Sequence, residues 1–449
     1  MKVDILTVEI GSTTTVVSAF RIGDKPALVV QGEHYTTVKE GDVTLGIDRA
    51  IRSIENKIGE NLTWDKMMAS SSAAGGLKMT VHGLVYSMTV KAAKEAALGA
   101  GAVIAMATAG KISDETIEEV KKISPKLILI SGGVDNGESE TALYNSELFA
   151  KSDINVPFLY AGNSAVASKV EKIFKENGKD ITITENVYPR VDLLNVGPVR
   201  KIIQDLFSKH IIHGPGMSKL EGQVYGRIMP TPGAVMKAVE ILQKEMGDSL
   251  AIDIGGATTD VDSVTEGSPD IQKILVSPEP FAKRTVEGDL GVFINAPNVV
   301  KNFEWIKEKF EDHESLLKEI TPYPSNERME EFVSNLALAC ATESVLRHAG
   351  YRRYLYGPTG RIEIAEGKDL TAVVNIFGTG GVLSRSKWNF TILNEVRNLR
   401  SRHPMNLLPP AEAKIYFDSN YIFAPCGLIS QIDPESAKKL LLEDVKLAG

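Results

Sequence analysis

Apolar runs bounded by turn residues predict three strands at the start of the chain. Val3–Val8 and Thr15–Phe20 are apolar runs on either side of a turn of glycine and hydroxyl residues, and Ala27–Glu33 is a third run. This pattern predicts a β-meander whose first hairpin carries the glycine turn. Isoleucines at helical spacing then predict a helix over Asp48–Ile58.

The pattern changes from about Thr89, where amphipathic segments alternate with short apolar runs. Helical spacing at Lys91–Leu98 and Ser113–Lys122 alternates with apolar runs at Ala102–Ala107 and Leu127–Ile130. Helices that alternate with strands in this way are typical of a parallel sheet with crossover helices. The sequence therefore predicts an α/β insertion.

The second half of the chain returns to longer helices and isolated apolar strands. A helix is predicted from Pro232 to about Met246, and strands are predicted from Ala251 and over Ala372–Phe377. A last amphipathic helix begins near Pro434. The loop His213–Met217, rich in glycine and proline, is a candidate hinge.

Two stretches, one in each half of the chain, share the order strand, carboxylate, glycine turn, hydroxyl cluster and strand. Ile5–Thr15 reads Ile-Leu-Thr-Val-Glu-Ile-Gly-Ser-Thr-Thr-Thr, and Ala251–Val261 reads Ala-Ile-Asp-Ile-Gly-Gly-Ala-Thr-Thr-Asp-Val. Backbone amides close on an anion only where Cβ atoms are missing. Two such turns predict one nucleotide that is bound from two sides.

The residue types at these turns suit phosphate and magnesium. Glu9 and Asp253 precede the turns and would hold Mg²⁺ through water, because this ion needs only one or two protein carboxylates. Asp260 would help to place water or the metal. The groups predicted to donate hydrogen bonds to phosphate oxygens belong to Gly11, Ser12, Thr13, Thr14, Gly255, Gly256, Thr258 and Thr259.

A third glycine turn follows the predicted strand Ala372–Phe377. It contains Gly378, Gly380 and Gly381, and its bare backbone would let a purine and a ribose lie against it. ATP and Mg²⁺ are therefore the predicted ligands, and catalysis would consist mostly of positioning and charge neutralisation.

Composition excludes several other classes of function. The chain has 449 residues, of which 43% are hydrophobic and 24% charged, with a formal net charge of -8. These values are typical of a globular protein of several domains, and the negative charge argues against a nucleic-acid partner. Because neither a signal segment nor an apolar stretch of membrane-spanning length is apparent, we expect a cytoplasmic location without a membrane partner.

The cysteines and histidines do not form a recognisable metal motif. The two cysteines, Cys340 and Cys426, are far apart in sequence, so two buried thiols are the simplest interpretation. None of the histidines considered, His82, His210, His213 and His348, has metal-ligand spacing, and we interpret them as surface residues or as core residues with satisfied hydrogen bonds.

The order of these motifs resembles that of the actin, Hsp70 and sugar-kinase superfamily of ATPases. The matching segments are Glu9–Thr15 as the first phosphate motif, the helix from Pro232 as a link, Asp253–Asp260 as the second phosphate motif, Ala424–Ser430 as a second link and Phe377–Gly381 as the adenosine motif. The chain departs from the superfamily at Glu9, which stands where aspartate is usual, and at Ala257, which replaces a glycine common in the chaperones.

The whole chain further resembles the glutamate-mutase-associated MutL family. The segments that carry this resemblance are Ser72–Lys78, Ala97–Gly101, Ile130–Asp135, Leu194–Val199, Met229–Gly233, Asp253–Asp260, Arg284–Gly291 and Arg347–Gly350. The resemblance implies an ATP-dependent accessory factor that promotes exchange of damaged cobalamin in an adenosylcobalamin-dependent mutase, such as glutamate mutase or an aminomutase. It also makes Glu287 and Asp289 candidate nucleotide-binding residues.

The fold that these resemblances imply is α/β, a two-lobed actin-like ATPase fold of duplicated RNase H-like domains. The predicted first lobe covers residues 1–246 and includes the insertion at about 89–185. The second lobe covers 247–430, and a C-terminal helix covers 431–449. Formation of a homo-oligomer stays open.

Three other functions remain possible at the level of sequence. A small-molecule kinase would need a general base, for which Asp135 and Asp289 are candidates. An electron-transferring ATPase would use Cys340 and Cys426 to hold an iron-sulfur cluster, and a scaffold would bind ATP without turnover. The loop around Gly132 and Gly133, at the end of a predicted strand, is either a ligand loop or an ordinary turn.

Overall fold

The computed structural model describes residues 1–72, 77–211, 216–357 and 360–448. Parts of two loops singled out above, residues 73–76 and 213–215, lie outside the described residues, as does the side chain of His210. The chain divides into two compact units. The first comprises Met1–Ala74, Ile212–Val276 and Phe281–Gly449, and the second comprises Gly75–Ile211 and Ser277–Pro280.

The strands are numbered in chain order over the described residues. They are β1 (Lys2–Ile10), β2 (Thr14–Arg21), β3 (Ala27–Tyr35), β4 (Thr63–Ser71), β5 (Leu77–Gly83), β6 (Ala102–Ala109), β7 (Leu127–Ile130), β8 (Phe158–Tyr160), β9 (Ile181–Ile183), β10 (Met229–Pro230), β11 (Ser249–Ile254), β12 (Thr259–Val264), β13 (Ala282–Glu287), β14 (Tyr351–Gly357), β15 (Gly360–Glu366), β16 (Asn375–Thr379), β17 (Lys414–Asp418) and β18 (Val445–Leu447).

The α-helices follow the same convention. They are α1 (Val43–Ile58), α2 (Lys91–Gly99), α3 (Asp114–Ile123), α4 (Glu140–Lys151), α5 (Ala167–Glu176), α6 (Val196–Ile211), α7 (Met217–Glu221), α8 (Thr231–Met246), α9 (Pro269–Gln272), α10 (Ala296–Asn302), α11 (Glu304–Lys309), α12 (His313–Glu319), α13 (Glu327–His348), α14 (Gly381–Arg385), α15 (Asn389–Arg397), α16 (Leu399–Arg402), α17 (Phe423–Ile429) and α18 (Pro434–Asp444).

The first unit contains two sheets with the same topology. In one sheet the order is β10-β4-β1-β2-β3, and in the other it is β13-β12-β11-β16-β17-β18. Each begins with three antiparallel strands, after which the next strand pairs in parallel with the first strand of the meander. This duplicated order, a meander followed by parallel strands, is that of the actin-like ATPase fold, which the sequence predicted.

Burial explains why the central strands read as continuous apolar runs. In β1 the side chains of Ile5, Leu6, Val8 and Ile10 have no exposed surface, because β2 and β4 lie on its two edges and helices pack on the sheet. Strands buried on both faces lose the alternation of half-buried ones. The polar residues Thr7 and Glu9 interrupt this run and are themselves buried, so their hydrogen bonds must be made inside the protein.

Helices α8 and α17 occupy equivalent places in the two halves and pack against each other. Each follows the last parallel strand of its half, and their apolar residues belong to one core cluster. The contact is close because Gly427 has no side chain: a Cβ there would run into the carbonyl oxygen of Ala234. These are the two linking helices predicted from Pro232 and near Ala424.

The second unit is an α/β domain with an entirely parallel sheet. Its strand order is β6-β5-β7-β8-β9, with helices α2 to α5 in the connections. The chain after β9 then crosses back over the carboxyl ends of β8 and β7, because the amide of Val187 donates to the carbonyl of Ala161 and Asn186 donates to Gly133. That segment packs over the edge at which parallel sheets commonly bind ligands.

Some elements differ from the sequence-based prediction. Helix α1 begins at Val43 rather than Asp48, because the Asp42 side chain caps it by accepting from the amide of Thr44. Strand β16 begins at Asn375, three residues beyond the predicted start at Ala372. The hairpin of β14 and β15 and the short strand β18 were not predicted, since they carry no distinct period-2 pattern.

Among the described residues, none of the helices combines the length and apolar composition that a bilayer crossing requires.

Candidate functional site

The two glycine turns in the first unit have the same backbone geometry. The amide of Gly11 donates to the carbonyl of Thr14 at 2.9 Å, and the amide of Gly255 donates to the carbonyl of Thr258 at 2.9 Å. The strand pairs that close the turns are also equivalent, with Ile10 opposite Thr15 and Ile254 opposite Thr259. The sequence similarity of the two stretches therefore corresponds to a structural repeat.

The two turns lie directly against each other. A Cβ atom on Gly256 would lie 2.7 Å from the Cγ2 atom of Thr13, which is closer than side-chain contacts allow. Glycine at position 256 is thus what lets the second turn approach the first. Because the turns belong to different sheets of the first unit, their contact brings the ends of β1 and β11 to one place.

The tips of both turns present backbone amides without protein partners. Among the residues that the structure describes, the amides of Ser12, Thr13, Gly256 and Ala257 donate to no protein acceptor. Successive amides of this kind form a concave site for an anion. The hydroxyls of Thr13, Thr14 and Thr258 lie in the same two turns and are partly exposed.

Neighbouring segments brace the turns from outside. Thr36 donates from its hydroxyl to the carbonyl of Gly11 and from its amide to the carbonyl of Thr13. The amides of Phe293 and Ile294 donate to the carbonyl of Gly256. The carbonyl groups of Gly11, Thr13 and Gly256 are therefore occupied by the protein, unlike the amides at the tips of the turns.

Glu9 is buried near the first turn and makes a hydrogen bond to a distant residue. The phenol of Tyr421 donates to its Oε1 atom at 2.7 Å. Burial raises the pKa of Glu9 to about 7, while the hydrogen bond from Tyr421 and the charge of Arg385 act in the opposite direction. A nearby cation would stabilise the ionised form of this buried carboxylate.

Asp253 is the equivalent residue before the second turn. Burial raises its pKa to about 8, and the negative charges of Asp260 and Glu9 add to the effect, against the opposing charge of Arg284. Carboxylates whose pKa values are raised by burial and by one another's charge are common at metal and catalytic sites.

Asp260 lies one strand further on and is held by a buried arginine. Asp260 and Arg284 form an ion pair, and their side chains are 8% and 1% exposed. Strand pairing places Asp260 directly opposite Asp253. Arg284 was not among the predicted site residues, although its position in the charged segment before Gly291 was the available signal.

The third glycine turn lies against Asp253, the carboxylate that precedes the second turn. Gly380 adopts φ 89°, and a Cβ on it would lie 2.7 Å from the Oδ1 atom of Asp253. Only glycine tolerates both the left-handed conformation and this approach. Gly378 instead packs against Leu393, whereas a Cβ on Gly381 would meet open space.

Three hydroxyls in the predicted set are already engaged, and that of Thr258 donates to the Oδ2 atom of Asp260 at 3.5 Å. The hydroxyl of Thr259 has no exposed surface and donates to the carbonyl of Leu290 at 2.9 Å. The hydroxyl of Ser12 is exposed and donates to the carbonyl of Ser72 at 3.2 Å. Thr259 therefore supports the second turn from its inner side.

Glu287 and Asp289 are both held by one arginine. Arg347, near the C-terminus of α13, lies 2.7 Å from a carboxylate oxygen of Glu287 and 2.9 Å from one of Asp289. These ion pairs raise the pKa of Arg347, and they anchor the segment between β13 and α10. The same segment contacts the second turn through Asn295, which donates to the carbonyl of Ala257.

Asp135, the other candidate for a kinase base, and the glycine loop of the second unit make their contacts within that unit. Asp135 accepts from the amide of Ser164 and from the side chain of Asn186. Gly133 adopts φ 67°, and a Cβ on it would run into the backbone of Glu138. The geometry of this loop is thus required by its own packing.

The two cysteines and two of the histidines, His82 and His348, are core residues. Cys340 and Cys426 are buried and free. His82 is buried and contacts the hydroxyls of Thr80 and Thr108, and burial lowers its pKa to about 3. His348 likewise contacts the hydroxyls of Ser263 and Thr285.

The donor set at the turns is compatible with magnesium bound to a nucleotide. In the described parts of the chain, no group of three or more His, Cys, Asp and Glu side chains is arranged as a metal site. Glu9 and Asp253 supply two carboxylates beside the turns whose amides have no protein acceptor among the described residues. Mg²⁺ commonly takes one or two carboxylates together with water and phosphate oxygens, so these residues fit the ion and its nucleotide together.

Comparison with known proteins assigns the chain to a family. A family model described as MutL protein matches residues 5–445. A curated relative, Protein MutL of Clostridium tetanomorphum, is 35% identical over 462 aligned residues, which cover 97% of this chain and 98% of the relative.

Several solved structures are similar at low identity. The ethanolamine utilization protein EutJ from Carboxydothermus hydrogenoformans is 10% identical, with a TM-score of 0.29 over 94% of this chain and 88% of that one. A chain of the PilM-PilN type IV pilus biogenesis complex is 12% identical, with a TM-score of 0.29 over 99% of both chains. The assignment of the fold rests on strand order and not on these scores.

Proposed function

The chain belongs to the MutL family, and on that premise we propose that it is an ATP-dependent accessory protein for an adenosylcobalamin-dependent mutase. The observation that carries the nucleotide part is the pair of facing turns, whose partnerless amides lie beside the buried carboxylate of Glu9 and the partly buried carboxylate of Asp253. Family membership supports the choice of a mutase, such as glutamate mutase or an aminomutase, as the partner.

The turns bind the phosphates of ATP from two sides. Amides of Ser12 and Thr13 in the first turn, and of Gly256 and Ala257 in the second, donate to phosphate oxygens. The hydroxyls of the threonines at the turns add further donors. Because these groups are held by the strands behind them, they are oriented for the charged phosphates before binding occurs, and little reorganisation is needed.

Glu9 and Asp253 would hold Mg²⁺ through water, and the bound ion would supply neutralisation of the phosphate charge. Asp260 stays fixed by Arg284 and orients water at the second turn. The backbone at Gly380 and Gly381 contacts the nucleoside. Gly380 lies against Asp253, so this turn is next to the phosphates bound at the second turn. Glu287 and Asp289 affect the nucleotide site indirectly. Arg347 binds both carboxylates and so anchors the segment that contacts the second turn.

Binding is coupled to the partner through the two linking helices. Helices α8 and α17 pack against each other and lead from the two sheets whose turns meet at the site. A change in the distance between the turns would therefore change the packing of these helices. If the mutase binds one arrangement more tightly, hydrolysis alters its affinity and promotes exchange of damaged cobalamin.

The first prediction concerns Gly256. Replacement with valine places a branched side chain against Thr13, so we expect the affinity for ATP with Mg²⁺ to fall about 10-fold or more. Isothermal titration calorimetry measures the affinity directly. Gly197→Val is the matched control, because a Cβ at Gly197 meets no atom within 4 Å, and this variant should bind ATP as the wild type does.

Unchanged ATP affinity in Gly256→Val, with the fold intact by circular dichroism, would place the nucleotide elsewhere. A loss of affinity in both glycine variants would indicate a general effect on folding rather than on the cradle. Failure of the wild-type protein to bind any nucleotide would contradict the proposal as a whole.

A further inference from the structure

Glu9 differs from the aspartate that is usual at this position, and the structure offers a reason for the longer side chain. Its Oε1 atom accepts a hydrogen bond from the phenol of Tyr421, 412 positions away in the sequence. An aspartate would withdraw the carboxylate by about 1.5 Å, the length of one carbon–carbon bond. A hydrogen bond of 2.7 Å would not survive that change without movement of the backbone.

Tyr421 is held firmly in its place. Its backbone adopts φ 56°, a conformation that residues with a Cβ rarely adopt. The flanking residues fix it, because the carboxylate of Asp418 accepts from the amides of Ile422 and Phe423 at 2.6 and 3.1 Å. A non-glycine residue in this conformation next to a candidate site suggests a functional constraint.

The same aspartate connects Tyr421 to the third glycine turn. Asp418 accepts from the hydroxyl of Thr379 at 2.6 Å, and Thr379 directly precedes Gly380, which lies against Asp253. One buried carboxylate therefore fixes both the loop that contacts Glu9 and the loop that contacts Asp253. The two metal-side carboxylates are supported by one connected group of residues.

We propose that Tyr421 is a positioning residue, matched to the length of Glu9, that fixes the Glu9 carboxylate for magnesium binding. Tyr421 occupies Oε1 and leaves Oε2, which has no protein partner among the described residues, for a water ligand of the metal. Tyr421 itself does not contact nucleotide or metal. This inference rests on the proposed function, since it concerns the same site.

The proposal predicts that the effect of Tyr421 on magnesium binding depends on the presence of Glu9. Removing the phenol oxygen leaves Glu9 free to rotate, so magnesium binding should weaken while contacts of the turns with the phosphates persist. Loss of an outer partner of a metal ligand typically reduces metal affinity about 10- to 100-fold. Once Glu9 is replaced by aspartate, Tyr421 has no partner there, and its removal should have no further effect.

The experiment compares wild type, Tyr421→Phe, Glu9→Asp and the double variant. We expect Tyr421→Phe to raise the Mg²⁺ concentration for half-maximal ATP binding about 10-fold or more, with unchanged ATP affinity in EDTA. The double variant should match Glu9→Asp. Tyr416→Phe is the control, because it removes a phenol oxygen from β17 without contacting Glu9, and it should keep the wild-type Mg²⁺ dependence. Thermal unfolding of each variant without ligand monitors the fold.

Three results would overturn the inference. They are an unchanged Mg²⁺ dependence in Tyr421→Phe, an equal loss of ATP affinity with and without Mg²⁺, and additive effects in the double variant. In each of these cases wild-type ATP binding still supports the proposed function. If the wild-type protein binds no nucleotide, the proposed function fails and this inference fails with it.

Discussion

Replacement of Asp253 with asparagine should abolish the Mg²⁺ dependence of ATP binding and lower the rate of ATP hydrolysis by about 100-fold or more. Asparagine keeps the size of the side chain beside Gly380 but removes the charge that would hold the metal-bound water. Hydrolysis is measured by phosphate release, and the Mg²⁺ dependence is measured by titration calorimetry.

The same substitution should stabilise the protein without ligand. Burial and the charges of Asp260 and Glu9 raise the pKa of Asp253 to about 8, so the folded state favours the protonated form. For a raised pKa, the favourable contribution is complete below the unfolded-state value near 4 and is lost as the pH rises through 8. Asp253→Asn should therefore raise the unfolding temperature at pH 8.5 and have little effect at pH 4.

Asp270→Asn is the control for this prediction, because Asp270 is highly exposed in the short helix α9. It should change neither hydrolysis nor the pH dependence of unfolding. Hydrolysis by Asp253→Asn at the wild-type rate would remove Asp253 from the metal site. A lower unfolding temperature at high pH would contradict the account of its electrostatics.

Replacement of Gly427 with alanine should have the largest effect on the fold, with a decrease of about 3 kcal/mol in the free energy of unfolding. The added methyl group would run into the carbonyl oxygen of Ala234, where helices α8 and α17 meet. Because both helices are packed on buried strands, neither can move away without disturbing the core. Denaturant unfolding measures the change, provided that the transition of the first unit is resolved.

Gly222→Ala is the matched control, since the nearest atom to a Cβ there, the carbonyl oxygen of Lys219, is 4.0 Å away. Its free energy of unfolding should change by less than about 1 kcal/mol. If Gly427→Ala were as stable as the wild type, the close approach of the two linking helices would be disproved.

Local patterns in the sequence were sufficient to predict the strands and the turns of the site. The apolar runs around Gly11 and Gly255 predict β1, β2, β11 and β12, because hydrophobic periodicity and glycine turns act over a few residues. The repeated order of acid, glycine and hydroxyls also predicted that two turns would act together. The two turns lie against each other in the structure, and their joint binding of a nucleotide stays a prediction.

Contacts between distant segments could not be predicted in the same way. Nothing near Glu9 in the sequence indicates Tyr421, and nothing near Asp260 indicates that Arg284 is its buried partner. The involvement of Thr259 with Leu290 was likewise hidden, because a threonine hydroxyl can point to a ligand or into the core. These choices depend on how the two sheets pack, which a single sequence does not specify.

The most direct test of the proposed function measures cobalamin exchange in a cognate mutase. The mutase, inactivated with its damaged cofactor bound, is mixed with this protein, ATP, Mg²⁺ and fresh adenosylcobalamin, and the return of activity is followed. We expect recovery with ATP and the wild-type protein, and none with Asp253→Asn or without nucleotide. Absence of recovery with any cognate mutase, together with phosphorylation of an added small molecule, would contradict the account and indicate a kinase.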